Sequence, residues 1–284
     1  MTSVFGARLA AAFAATGPLC VGIDPHPWLL DQWGLPASAA GVREFGLRVV
    51  EGVSGAASIV KPQVAFFERW GSAGVAALED VLEAGRDRGL LQIGDAKRGD
   101  IGTTMDAYGD AWFDDSSPLR VDALTVSPYL GFESMRGLID RARSVGGGVF
   151  VLAATSNAEA VATQTALRTD LHGAEGTVAS GIVDDVLHDN QTTGDAPFGS
   201  VGLVLGATVD LDDYGIDVAR LTTTPVLAPG FGHQGAAYSD LRASFGAAAG
   251  AVLVSASRAL LSAGPDRFAD AVRRDADEVR SCLV

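Results

Sequence analysis

Leu90-Leu91-Gln92-Ile93-Gly94-Asp95-Ala96-Lys97-Arg98-Gly99-Asp100-Ile101 starts as a short apolar run and ends in charge. The apolar half suits a buried parallel strand, over 90–97, and a charged side chain closing such a strand needs a reason to be there. Residues two apart on a strand share a face, so Asp95 and Lys97 project together if either does. Asp100 lies past the strand, in a loop, and is free to reach across a subunit interface. Taken alone, an Asp-x-Lys pair also fits a buried ion pair that merely fixes its strand.

The same pattern recurs along the chain. Short apolar, β-branched runs closed by turn or polar residues fall at 19–24, 58–63, 90–97, 123–127, 149–156, 201–208, 225–230 and 250–257. Helical periodicity occupies 42–53, 73–88, 104–113, 133–143, 176–187 and 236–245 between them. Eight alternations of apolar strand and helix predict an α/β fold, a (β/α)8 TIM barrel, with an open doubly wound sheet as the alternative. Closure is favoured by where the polar residues fall. Asp24, Lys61, Asp95, Lys97, Ser127, Ser156, Gly230 and Arg258 all sit at or just past strand C-termini, the catalytic rim of barrel enzymes. An open sheet would leave its first and last strand ends too far apart to meet around one small ligand.

Lys61 and Lys97 are the only lysines among 21 basic residues. A chain that uses arginine for nearly every generic positive charge has kept lysine at two strand ends. An ammonium can give up a proton, whereas a guanidinium stays charged near neutral pH. With Asp24 and Asp95 they make four charges at the ends of buried strands, an expense typical of active sites.

The 284 residues, 48% hydrophobic and without a Pro- or Ser-rich linker, are expected to form one domain over 1–284, elaborated by a loop-helix insertion at about 159–200. A net charge of −14 argues against nucleic acid or an acidic membrane as partner, but leaves room for a local pocket holding one phosphate. The Arg8-led, Ala-rich start resembles a signal peptide, yet Phe5, Leu9 and Phe13 recur at helical spacing, as in an amphipathic helix entering the first strand. No run reaches transmembrane length. Two cysteines, Cys20 and Cys282, imply neither a disulfide framework nor a zinc site, and a reducing cytoplasm is the expected location.

Five segments, in order, carry a family resemblance. They are Gly22-Ile23-Asp24-Pro25-His26, Val60-Lys61-Pro62-Gln63, Asp95-Ala96-Lys97-Arg98-Gly99-Asp100-Ile101-Gly102-Thr103-Thr104, Ala228-Pro229-Gly230-Phe231-Gly232-His233-Gln234-Gly235 and Ser255-Ala256-Ser257-Arg258. Together they resemble orotidine 5′-phosphate decarboxylase, in its longer bacterial branch. The resemblance implies cofactor-free, metal-free conversion of orotidine 5′-monophosphate to uridine 5′-monophosphate in pyrimidine biosynthesis. It implies that Lys97 donates a proton to the carbon that loses carbon dioxide, beside Asp95. Lys61, Asp95, Lys97 and a partner subunit's Asp100 would form an alternating charge network in a homodimer with shared sites.

For binding, the resemblance implies Asp24 and Lys61 at the ribose, and Thr104 donated to it across the dimer. Ser156 would meet the pyrimidine, with Thr155 a competing candidate. Pro229, Gly230, Gly232 and Arg258 would hold the phosphate, and Gln234 would bridge phosphate and base. The glycines here also fit a simple tight turn, His233 a surface residue and Ser127 a helix cap. Two other functions compete. One is a metal-dependent sugar-phosphate lyase or synthase of the same barrel superfamily, against which the ammonium of Lys61 argues. The other is a non-catalytic nucleotide-binding barrel.

Overall fold

In the computed structural model, which describes residues 4–169, 175–194, 197–232 and 235–283, eight parallel strands close into a barrel. The strands in chain order are β1 (Leu19–Ile23), β2 (Ile59–Pro62), β3 (Leu91–Arg98), β4 (Ala123–Val126), β5 (Gly148–Ala154), β6 (Leu167–Thr169), β7 (Glu175–Thr177), β8 (Val201–Leu205), β9 (Val226–Pro229) and β10 (Val252–Ala256). All but β6 and β7 build the barrel, and each of these eight lies on one of the expected runs. Closure is explicit: β1 pairs with β2 on one side and with β10 on the other, which excludes an open sheet.

Side-chain alternation divides the barrel wall into two faces. Leu19, Val21 and Ile23 of β1 point outward and join the core under the surrounding helices, while Cys20 points inward with Ile59, Leu91, Ile93, Ala123, Phe150, Val204, Leu227 and Leu253. The N-terminal helix Phe5–Thr16 plugs the lower end of this interior with Phe5, Leu9 and Ala12. The Phe5 ring meets Phe150 edge-on at 6.0 Å. The periodicity that sets Leu9 one turn above Phe5 thus serves as a barrel floor.

Local chemistry starts and stops the outer helices. Ser38 caps Ala39–Gly52 by accepting from Gly41 N at 3.2 Å, and Thr177 caps Val178–Thr193 by accepting from Ser180 N at 2.9 Å. Gly194, left-handed at φ 66°, ends the latter helix.

The elaboration expected over 159–200 is narrower than that range. Val178–Thr193 is an ordinary barrel helix that packs on β5 and β8 and buries Ala179, Val183 and Val186. What exceeds a plain β–α connection is a 3₁₀ turn (Ala158–Ala160), a short helix (Val161–Gln164) and the antiparallel β6–β7 hairpin. Cys20 is buried and Cys282 half-buried, and both are free thiols.

Candidate active site

Carrying the inward face up each strand leads to the C-terminal mouth. Above Cys20 comes Asp24, above Ile59 come Lys61 and Gln63, above Leu91 and Ile93 comes Asp95, and above Leu253 come Ser255 and Ser257. The lower positions fill the barrel. The upper ones line a cavity of about 430 Å³, with Thr125 and Leu152 on one wall and Pro229, Gly230, Phe231 and Arg258 on another.

Three donors converge on Asp95. Lys61 Nζ donates to Oδ2 at 2.8 Å, Lys97 Nζ donates to Oδ1, and Thr125 Oγ1 donates to the same Oδ1 at 3.1 Å. Asp95 and Lys61 are only 8% and 6% exposed, so little water screens the pair. Burial by itself pushes the Asp95 carboxyl up, but Lys61 and Lys97 outweigh it and hold the group well below the usual carboxylate range. Burial likewise pushes the Lys61 ammonium down, and the Asp95 and Asp24 carboxylates more than reverse this, leaving it above an ordinary lysine. Both stay charged. Cys20, beneath them, is pushed up to about 12 by burial and is an inert thiol in the fold.

Lys97 stands apart in its backbone. Its φ of 49° makes it the one non-glycine left-handed residue among those described, and the β3–β4 register shifts between Gly94 and Arg98 at the same place. Such a conformation costs a bulky residue about 1–2 kcal/mol. It is held from β4, where Thr125 Oγ1 accepts from Lys97 N at 3.0 Å. Simple alternation therefore predicts the right neighbours for a different reason: Lys97 reaches Asp95 from a bulge, with its side chain 45% exposed at the mouth.

The other walls offer complementary groups. Asp24 Oδ2 accepts from Ser257 Oγ, while Asp24 Oδ1 is buried and has no partner among the described residues, an acceptor suited to a ligand hydroxyl. The Arg258 guanidinium lines the cavity with neither a carboxylate nor a hydrogen-bond partner among the described residues, which suits an anion. It faces the loop after β9, where Gly230 adopts φ 122°, open to glycine alone.

Of the residues singled out from sequence, Asp24, Lys61, Asp95, Lys97, Ser156, Pro229, Gly230 and Arg258 share this cavity. Gly232 does not: it is exposed, and its N–H donates to Ala236 O at 2.8 Å. Gln234 and His233 lie outside the described residues. Asp100 and Thr104 sit away from the cavity of their own chain; Asp100 Oδ1 accepts from Ile101 N at 2.8 Å, and Thr104 is exposed on the first turn of the helix Gly102–Phe113. Ile101, which follows Asp100, is 61% exposed, and Tyr129 and Leu130 in the loop after β4 are 84% and 52% exposed. Ser127 takes no part in the cavity, and its N–H donates to Arg98 O at 2.7 Å, tying the two loops together.

Sequence reading passed over Gln63, Thr125, Ser255 and Ser257, which simple alternation from the neighbouring apolar positions places on the inner face. It also passed over Gln164 and Asn157, which come from the elaborated loop and carry no strand periodicity. Among the described residues no group of three His, Cys, Asp or Glu side chains is placed to hold a metal ion.

Comparison with known proteins agrees with this geometry. The family model described as orotidine 5′-phosphate decarboxylase / HUMPS family matches residues 17–271. Orotidine 5′-phosphate decarboxylase of Salinispora arenicola is 51% identical over 275 residues, 97% of this chain and 95% of the relative. That of Nocardioides sp. is 51% identical over 278 residues, covering 98% and 99%. A Streptomyces avermitilis crystal structure ascribed to the same activity superposes with a TM-score of 0.92 at 45% identity, covering 100% of this chain and 97% of that one. Leishmania donovani OMP decarboxylase gives a TM-score of 0.77 at 29% identity, with 98% of each chain covered.

Proposed function

The chain belongs to the orotidine 5′-phosphate decarboxylase / HUMPS family, and from its barrel mouth we infer how it carries out that reaction. It is an orotidine 5′-phosphate decarboxylase, converting orotidine 5′-monophosphate to uridine 5′-monophosphate and carbon dioxide in pyrimidine synthesis. The observation that carries the mechanism is the Lys97 ammonium, set at the cavity by its left-handed backbone and paired with buried Asp95.

In the proposed mechanism the bond between ring carbon and carboxylate breaks, carbon dioxide leaves, and the electron pair stays on the ring carbon. Lys97 Nζ stabilises that charge and transfers its proton to the carbon, then regains one from solvent. Asp95, beside the departing carboxylate, accepts from Lys97 and holds it aimed at the reacting carbon. Lys61 keeps Asp95 ionised and faces the sugar. Asp24, with its unpartnered Oδ1, takes a ribose hydroxyl. Pro229, Gly230 and Arg258 grip the phosphate, Ser156 meets the base, and Gln234 is proposed to bridge phosphate and base. Binding energy from this remote grip organises the charges as well as raising affinity.

We further propose a homodimer in which Asp100 and Thr104 enter the partner's cavity. Neither reaches its own, and the loop after β3 that carries Asp100 is tied to the loop after β4, the two exposing Ile101, Tyr129 and Leu130, apolar side chains of the kind found at interfaces. One barrel unit over 1–284, in a reducing cytoplasm that suits free thiols, is the corresponding whole. No helix among the described residues is long and apolar enough to cross a membrane. The metal-dependent alternative is disfavoured because both oxygens of Asp95 are taken by donors.

The test is the absorbance change of orotidine 5′-monophosphate in chelator, with Lys97→Ala as control. Turnover by the native protein and none by the variant, which still binds uridine 5′-monophosphate, is expected. A fully active Lys97→Ala protein would sink the mechanism, and dependence on added magnesium would favour the sugar-phosphate alternative.

A further inference from the structure

The short helix Val161–Gln164 belongs to the elaborated connection after β5, and its last residue reaches back into the mouth of the barrel. Gln164 Oε1 accepts from Thr155 N at 2.9 Å, and Gln164 Nε2 donates to Thr155 Oγ1 at 3.0 Å. A backbone N–H can only donate, so the first contact fixes the amide's orientation and makes the second a donation from nitrogen. Thr155 Oγ1, accepting there, gives its own proton to Asn157 Oδ1 at 2.8 Å, and Asn157 Nδ2 donates to Glu159 Oε2 at 3.1 Å. The chain of contacts is closed and directional.

Its effect on the loop is selective. The Thr155 hydroxyl has no proton left to offer a ligand. Ser156, next in sequence and also lining the cavity, has no hydrogen-bond partner among the described residues, so its hydroxyl keeps both donor and acceptor capacity. We propose that Gln164 is a positioning residue for base recognition: by holding Thr155 at two points it turns Ser156, not Thr155, toward the pyrimidine. The added segment after the fifth strand then acts as a brace for specificity. This deepens the decarboxylase assignment and rests on it.

Gln164→Leu removes both contacts at similar volume. Each is worth about one net hydrogen bond, so a three- to tenfold loss, roughly, is expected in affinity for uridine 5′-monophosphate and in kcat/KM for orotidine 5′-monophosphate. Ribose 5-phosphate, which lacks the base, should bind the variant as it binds the native protein. In a Ser156→Ala background the same substitution should add little, because its effect passes through Ser156. Calorimetry with the two ligands on the four proteins reads all of this. An unchanged nucleotide affinity, an equal loss for both ligands, or a full additional loss in the Ser156→Ala background overturns the proposal while native turnover leaves the decarboxylase assignment standing. A native protein that fails to turn over orotidine 5′-monophosphate overturns both.

Discussion

Replacing the two lysines separates stability from chemistry. Lys61 is buried, with Nζ 2.8 Å from Asp95 Oδ2, where a unit charge pair attracts by about 6 kcal/mol at an effective dielectric of about 20. Lys61→Met forfeits that attraction and leaves Asp95 buried, but it also removes the cost of burying an ammonium, and Lys97 and Thr125 still hold Oδ1. The net loss is about 3 kcal/mol, the lower end for breaking a buried pair. At about 2 °C per kcal/mol for a chain of this size, Tm falls by roughly 6 °C. Lys97→Gly behaves differently. Its pair is 45% exposed on the lysine side and worth under about 1 kcal/mol. Relief of the left-handed strain returns about 1 kcal/mol, and the looser unfolded chain takes back up to about 1 kcal/mol. Tm should stay within about 2 °C while turnover disappears. Thermal unfolding by circular dichroism, run beside the decarboxylation assay, checks both. A Lys61→Met protein with native Tm, or a Lys97→Gly protein destabilised as much as Lys61→Met, would refute the division.

Four further outcomes are expected. Arg258→Ala should weaken uridine 5′-monophosphate binding by about ten- to a hundredfold, the range for charged hydrogen bonds, with kcat reduced far less; equal binding in a titration contradicts the phosphate role. Asp24→Ala removes the buried acceptor that faces the ligand, so nucleotide affinity should fall while inorganic phosphate affinity does not; equal losses for both would contradict its ribose role. Mixing Lys97→Ala with Asp100→Ala, each inactive alone, should restore roughly a quarter of native activity after subunit exchange, because half the random dimers carry one intact site; no recovery argues against shared sites. Asp95, held low, contributes stability that is complete above about pH 4 and fades as pH falls toward its lowered folded value, whereas raised Lys61 contributes fully below about pH 10 and loses it as pH climbs through its folded value. The kcat profile between about pH 5 and 9 should therefore show no limb from either group, and one that vanishes in Lys61→Met would contradict this.

The strands, the rim and most of the charged site were legible in the sequence because their signals are local. An apolar run ending at Lys61 or Asp95 announces a buried strand and a reason for its charge within eight residues, and a lysine in an arginine-rich chain marks itself. What needed the tertiary structure depends on register between segments distant in the chain. Thr125 is an unremarkable residue of β4 until the shifted β3–β4 pairing sets it against Asp95 and under the backbone of Lys97, and that same bulge, invisible to a period of two, gives Lys97 its left-handed turn. Ser257 meets Asp24 only because β10 closes on β1 across 233 positions, and Gln164 meets Thr155 only because a loop folds back without any periodicity to announce it. Sequence determined which side chains could do the chemistry, since composition and alternation act over a few residues. Closure of the barrel decided which of them meet, since the interstrand register that aims a hydroxyl or strains a lysine is a property of the whole ring.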